Sequence, residues 1–391
     1  MPFVVSEAIL KRNGHIMKIT AAFDSFKGSI SSVEAGNAAA EGIRRVFPDA
    51  EIIVRPMADG GEGTVSAVTA ALGGSIVSAE VNDPLGNIIS AEYGIAGDTA
   101  VMEMSAASGL TLVPEALRDP MKASTYGVGM MIADAVGRGC RNFIIGIGGS
   151  ATNDCGVGML TALGFGFFDR EGRKIRSGAE GLGDICRIDT ENVLPQLGKC
   201  RFSIACDVTN PLCGENGCSY VFAPQKGASA EDIPVMDRNI RHFADIAEKC
   251  GFDSDIDYSG SGAAGGLGYA FRTFLGGELV HGAELIIRET ELEKYIEGSD
   301  FLLTGEGRTD SQTAMGKAPL AAAGLARKHN IPVIVLSGSV CGQCGEFDAV
   351  FSIANGAMSL EEAMDIENAK HNMADCAENI FRLIKKVGYH K

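Results

Sequence analysis

Seven carboxylates stand in five short polar segments, four of them containing glycine, each directly after an apolar run. They are Asp24 in DSFKGS (24–29), Asp59 and Glu62 in MADGGEGT (57–64), Asp154 in GIGGSATND (146–154), Asp207 in CDVTNPL (206–212), and Glu306 and Asp310 in TGEGRTD (304–310). Lys27 and Arg308 share two of these segments, and Lys317 follows the last. Glycines let backbone N–H groups approach a phosphate, and a helix N-terminus adds a favourable partial charge. Carboxylates hold Mg²⁺ on phosphate oxygens, because that ion prefers oxygen ligands and keeps several waters. Lysine and arginine neutralise transferring phosphoryl oxygens, and a carboxylate can orient or deprotonate an attacking hydroxyl. These are the parts of phosphoryl transfer to a small molecule. Each single Asp also reads as a turn or helix-cap residue, since its short side chain bonds nearby backbone N–H groups. Repetition of the carboxylate–glycine pairing after successive strands is what that bland reading does not explain.

Other chemistries fit less well. The P-loop pattern GxxxxGK[ST] is absent: Gly316-Lys317 is followed by Ala318. There is no GxSxG elbow, and the six histidines lie outside the glycine segments, which disfavours Ser/His/Asp catalysis. Gly146-Ile147-Gly148-Gly149-Ser150-Ala151 does match GxGxx[GA], with Asp169 downstream as a ribose-binding acid. A nicotinamide-dependent oxidoreductase is therefore the alternative enzyme. Asn153 and Asp154 are poor neighbours for a pyrophosphate, and Asp169 also reads as the start of a hairpin turn. A non-enzymatic small-molecule sensor is the third class, and no segment suggests the partner it would need. Cys341-Gly-Gln-Cys344 is the only CxxC; no second pair completes a structural zinc site, so it reads as an ordinary loop.

The elements that position these residues alternate. Strands are expected at 18–23, 51–55, 142–147, 201–205, 300–303, 332–336 and 349–353, and shorter ones at 75–81, 88–93 and 100–104. NDPLGN (82–87) signals an antiparallel turn, and 165–168 with DREGR (169–173) a hairpin. Ser31 and Glu34 form a capping-box pattern for a helix running to about Phe47. Helices are also expected to Leu72, over 125–136, to Leu163, over 233–250, to Lys328 and from Ser359 to Lys386; GSGAAGGLG (260–268) reads as a glycine-rich loop. Alternating strands and helices imply a mainly parallel sheet, whose ligands bind beyond the carboxyl ends of its strands. The polar segments stand at those ends.

Composition bounds the rest. With 391 residues the chain exceeds one typical core. Its formal net charge of −16 and lack of a lysine/arginine run argue against nucleic acid. No apolar stretch reaches the ~20 residues of a membrane span. The first sixteen residues place apolar before basic residues, the reverse of a signal peptide, and are expected to be a disordered extra segment. Eleven scattered cysteines suit reduced thiols in a cytoplasm better than a disulfide framework.

The segments taken together resemble the bacterial glycerate kinase family, the two-domain type without a P-loop. DSFKGS, MADGGEGT, GIGGSATND, CDVTNPL, APQKGA (223–228), GAAGGLG (262–268) and TGEGRTDSQT with GKAP carry the resemblance, in order, from residue 18 to about 385. Phe23 stands where the family usually has proline, and Cys155 where glycine usually follows GGSATND. The resemblance implies a Rossmann-like α/β domain built from both chain ends, 17–77 and 288–391, with a mixed α/β domain, 78–287, inserted. It implies ATP- and Mg²⁺-dependent phosphorylation of D-glycerate in organic acid catabolism, with 2-phosphoglycerate favoured. Its small-molecule substrate is the expected partner, with a homodimer allowed for. On this reading Asp24 or Asp207 is the base, with Asp24 preferred, and Arg308 meets the transferring phosphoryl group. Lys27, Asp59 and Lys317 bind substrate, Gly148, Gly149 and Ser150 contact phosphate, and Asp154, Glu306 and Asp310 serve the metal.

Overall fold

The computed structural model describes residues 16–309, 318–341 and 345–388. In chain order the principal elements begin with β1 (Lys18–Phe23), α1 (Ser32–Val46), β2 (Glu51–Val54), α2 (Thr64–Ala71), β3 (Ser75–Asn82), β4 (Ile88–Ala96) and β5 (Thr99–Glu103). The middle holds α3 (Tyr126–Gly137), β6 (Asn142–Gly146), α4 (Val157–Ala162), β7 (Arg201–Ala205), α5 (Asp232–Lys249), α6 (Ala263–Leu275) and β8 (Glu278–Val280). The end supplies β9 (Phe301–Gly305), α7 (Ala318–Lys328), β10 (Val333–Ser337), β11 (Ala349–Ser352), α8 (Leu360–Met364) and α9 (Ile366–Val387).

The chain divides into two compact units. The first comprises residues up to Asp59 together with Ile286 onward, and the second runs from Gly60 to Leu285. The first unit carries a five-stranded sheet ordered β11-β10-β9-β1-β2, parallel throughout. β1 beyond Lys18 and β9 are buried on both faces and mostly apolar, as strands covered by helices on two sides must be. α1 starts where its capping box requires: the Glu34 N–H donates to Ser31 Oγ and the Ser31 N–H to Glu34 Oε2. The expected single C-terminal helix is two, because the Asp365 carboxylate accepts from the Asn368 N–H and opens a second helix there.

The second unit carries a six-stranded sheet ordered β8-β7-β6-β5-β4-β3. Its β3/β4 and β4/β5 pairs are antiparallel and the rest parallel. The NDPLGN turn joins β3 to β4. The first unit runs to Asp59, and α2 packs against the second sheet: Gly94 lies so close to Thr69 that a Cβ there would meet its hydroxyl at 1.7 Å. The hairpin expected at 165–173 is partly different. Asp169 Oδ1 accepts from the Glu171 and Arg173 N–H groups to close the turn, but residues 166–168 pair mainly with 187–189.

Strand order distinguishes the two sheets. In the second, order follows the chain without reversal. In the first, β1 leads outward to β2, whereas β9 leads the opposite way through β10 and β11. β1 and β9 therefore flank a topological switch point, where the loops leaving two adjacent strands diverge and open a crevice.

Candidate active site

At that switch point the register pairs Phe23 with Gly305, so Asp24 and Glu306 are the first residues beyond two neighbouring strand ends. The Asp24 N–H donates to the Gly305 carbonyl at 2.9 Å, which extends the ladder by one bond. Gly305 has no room for a side chain, since a Cβ would meet the Leu336 carbonyl oxygen at 1.8 Å. The loop after Asp24 closes on itself through Phe26 N–H to Ile30 O and Ser29 N–H to Phe26 O. Its Gly28 holds φ of +77°, a left-handed conformation that glycine adopts without strain.

A cavity of about 410 Å³ opens here within the first unit. Its polar lining includes Asp24, Lys27, Asp59, Glu306 and Arg308. Asp24 is buried, with Oδ1 accepting from the Ser25 N–H at 2.6 Å. Burial pushes its carboxyl up to about 7, the Asp59 charge adds to this, and the Ser25 N–H and Lys27 pull back against it. Glu306 pushes in the same direction as Asp59. Lys27 Nζ lies 3.8 Å from Asp59 Oδ2, and its side chain is more than half exposed. Arg308 and Thr309 form a short strand parallel to Ser339–Val340, where the sequence pattern suggests only loop. That pairing fixes the backbone of Arg308 beside the cavity.

The structure thus brings together five of the twelve residues singled out from sequence. Asp310 and Lys317 lie outside the described residues, as do residues 1–15 and Cys344. The remaining five belong to the second unit. Gly148, Gly149 and Ser150 form the loop leaving β6, with Gly149 at φ +72° and its carbonyl accepting from the Leu110 N–H. α4 begins only at Val157, several residues beyond Ser150. The dinucleotide fingerprint needs a helix opening directly from that loop, so the oxidoreductase alternative loses its geometry.

Asp154 is engaged by the fold itself. It is fully buried, and its oxygens accept from Thr125 N–H (2.8 Å), Thr125 Oγ1 (2.9 Å), Gly156 N–H (3.2 Å) and Gly158 N–H (3.2 Å). It knits α3 to the start of α4. Asp207 is half-exposed at the end of β7, and its Oδ1 accepts from the Gly282 N–H at 2.8 Å and meets His281 Nδ1 at 2.7 Å. Local spacing had set the histidines aside. The parallel β7/β8 pairing, Ala205 opposite Val280, is what puts His281 beside Asp207.

Sequence reasoning also missed Ser25, Ser29 and Asn372. The hydroxyls of Ser25 and Ser29 are buried with no hydrogen-bond partner among the described residues, although both residues line the cavity. Ser25 and Ser29 stood inside DSFKGS, and buried orphan hydroxyls in a cavity wall point to a polar ligand. Nothing local marked Asn372. No group of three His, Cys, Asp or Glu among the described residues is spaced to hold a metal ion by itself.

An α/β enzyme whose carboxylate-lined cavity opens at a sheet's switch point is the class these features define. The sequence model of the glycerate kinase family matches residues 19–385. The glycerate kinase of Bacillus subtilis is 43% identical over 94% of this chain and 98% of its own. The glycerate 2-kinase of Escherichia coli is 44% identical over 93% and 97%. A crystal structure assigned to glycerate kinase 2 of Salmonella typhimurium LT2 superposes with a TM-score of 0.89 at 42% identity, covering 95% of this chain and 99% of that one. The chain belongs to the glycerate kinase family, and is a phosphotransferase with an alcohol group as acceptor. Among the described residues, no helix is long and apolar enough to cross a membrane.

Proposed function

We propose that this protein transfers the γ-phosphoryl group of ATP to D-glycerate, giving ADP and 2-phosphoglycerate. The observation that carries the reading is the buried Asp24 carboxyl, held between Asp59 and Glu306 in a cavity that also presents Lys27 and Arg308. A base near neutrality suits removal of a hydroxyl proton at physiological pH. Asp24 takes that proton as the hydroxyl oxygen attacks the γ-phosphorus; the new P–O bond forms as the bond to the bridging oxygen breaks, and ADP departs. Lys27 meets the glycerate carboxylate beside Asp59. Arg308 meets the transferring phosphoryl oxygens, as a fixed guanidinium suits their geometry. Asp207, engaged by His281 and Gly282, is the alternative base. Gly148, Gly149 and Ser150 offer phosphate contacts, Asp310 joins Glu306 at the metal, and Lys317 joins Lys27 at the substrate.

The mutual crowding of Asp24, Asp59 and Glu306 fits a divalent cation, because converging carboxylates lower their repulsion by sharing one. Mg²⁺ commonly uses one or two carboxylates together with substrate phosphates, so a three-ligand protein cage is not needed. Glu306 would hold it through its carboxylate; when bound, it neutralises charge on the β- and γ-phosphates. A cytoplasmic setting rests on the scattered thiols. The 2-position rests on the likeness to the glycerate 2-kinase of E. coli. The test is turnover of D-glycerate with Mg²⁺-ATP, followed by ³¹P and ¹H NMR of the product. Phosphate on the carbon next to the carboxylate is expected; phosphate on the terminal carbon would overturn the 2-position, and no ADP formation would overturn the substrate.

A further inference from the structure

The mechanism leaves most of the cavity wall unused. Residues 353–372 line it with Ile353, Met358, Leu360, Met364 and Ala369, apolar side chains to which the proposed chemistry gives no role. Leu360 (75% exposed) and Met364 (37%) sit together on this wall, so it presents a contiguous apolar surface to the cavity rather than a lone exposed side chain. Asn372 is the polar exception. It is 7% exposed; its Oδ1 accepts from Asn355 Nδ2 at 3.2 Å, and its own amide N–H reaches only the Met358 thioether at 3.7 Å, a weak acceptor. Among the described residues, one carbonyl lone pair and one good N–H of Asn372 find no partner, in a wall that is otherwise apolar.

Resting on the kinase reading above, we infer that this wall is the subsite for the adenine ring of the nucleotide, with Asn372 reading the base edge. Glycerate cannot be the occupant: each of its carbons bears oxygen, so it gains nothing from an apolar wall. The base is the one flat, largely apolar part of a nucleoside triphosphate. A side-chain amide pairs its N–H and carbonyl with the adjacent N7 acceptor and N6 donor of adenine, whereas guanine offers two acceptors there. A cavity of about 410 Å³ lies within the ordinary range for small-molecule sites. The unpartnered Ser25 and Ser29 hydroxyls then lie in the same cavity for the phosphates.

The chain contains no tryptophan, so Leu360→Trp installs a single tryptophan on the wall, selectively excited at wavelengths beyond the absorption of the seven tyrosines. Adenosine alone should quench it saturably, and D-glycerate should not. Wild-type enzyme should prefer ATP to GTP by roughly 10- to 100-fold in kcat/KM, the worth of one bidentate base contact. Asn372→Leu should reduce that ratio severalfold through KM for ATP, leaving KM for glycerate in place. No response of Leu360→Trp to adenosine, or quenching by glycerate instead, overturns the subsite. So does an Asn372→Leu enzyme that keeps the full preference for ATP. Quenching by adenosine in a protein inert toward glycerate upholds the subsite and removes only the substrate assignment.

Discussion

Asp24 and Glu306 stand one residue past the paired positions Phe23 and Gly305, on the two strands that flank the switch point of the parallel sheet. Neither residue is close to the other in sequence. Parallel registration alone delivers both carboxylates to one cavity, and Asp59 completes the acidic group from the residues that follow β2. Three carboxylates and a lysine in a half-closed space cost folding energy, which is the usual signature of a site kept for chemistry rather than for stability.

Asp24→Asn should expose that cost. The folded carboxyl is pushed up to about 7 from an ordinary value near 3.8, so the folded chain keeps a proton that the unfolded chain has released. Stability from this group is complete below pH ~3.8 and is lost as pH rises through about 7. In metal- and nucleotide-free protein, the variant should therefore gain on wild type between pH 5 and pH 8, ending with a Tm higher by about 2–4 °C or more. Its kcat should fall by roughly 10²–10⁴. A melting-temperature difference that is flat with pH would refute the burial argument. Near-normal kcat, beside an inactive Asp207→Asn, would move the base to Asp207.

Lys27→Ala separates substrate binding from chemistry. Lys27 is largely exposed and its 3.8 Å pair with Asp59 is loose, so the variant should melt within about 1 °C of wild type. Loss of a charged contact to the glycerate carboxylate should raise KM for glycerate by roughly 10- to 100-fold with kcat little changed. Steady-state kinetics with each substrate varied in turn is the measurement. A rise confined to KM for ATP would reassign Lys27 to the nucleotide.

What was legible in the sequence was local. Strand Lys18–Phe23, the Ser31–Glu34 capping box and the NDPLGN turn each depend on neighbours a few residues apart, and each appears where spacing places it. Asp24, Glu306 and Arg308 were visible because chemistry-bearing residues after a buried strand can only emerge at its end. Burial was not visible. Asp154 sits in a glycine-rich loop of the same appearance as Asp24, and only the fold shows four donors closing around it. His281 reached Asp207 through a strand pairing across about 75 residues, and Asn372 reached the cavity from a helix whose sequence shows only amphipathic periodicity.

Asp154 and Glu306 should accordingly part company on substitution. Asp154→Ala leaves the two Thr125 donors and the Gly156 and Gly158 N–H groups buried without an acceptor, at a cost of about 2–5 kcal/mol. Its midpoint in urea should drop sharply, with Mg²⁺ dependence unchanged in whatever folded enzyme remains. Glu306→Gln should keep its midpoint and demand several-fold more Mg²⁺ for half-maximal rate. Equal Mg²⁺ requirements in wild type and Glu306→Gln would remove Glu306 from the metal.

Lys226 offers a test of the second unit's interior. Its side chain is buried, with Nζ donating to the Thr152 carbonyl at 2.7 Å in the loop that also carries Asp154. Burial lowers its ammonium to about 8 from an ordinary 10.5, and the nearby Cys218 and Asp154 pull only partly against that. The sign follows from proton counts. Between pH ~8 and ~10.5 the unfolded lysine is protonated and the folded one is not, so the stability present above 10.5 is lost as pH falls through about 8. Lys226→Met removes the titration along with the bond to Thr152. At pH 7 the relief of a buried charge offsets much of the lost hydrogen bond, and the variant should unfold within about 1–2 kcal/mol of wild type. Toward pH 10 wild type recovers its neutral amine and keeps the bond, so its advantage should widen steadily. Urea midpoints at half-unit steps from pH 7 to pH 10 measure that gap. A constant gap would mean that Lys226 stays charged throughout, and that the Thr152 carbonyl and Asp154 together stabilise the ammonium as well as water does.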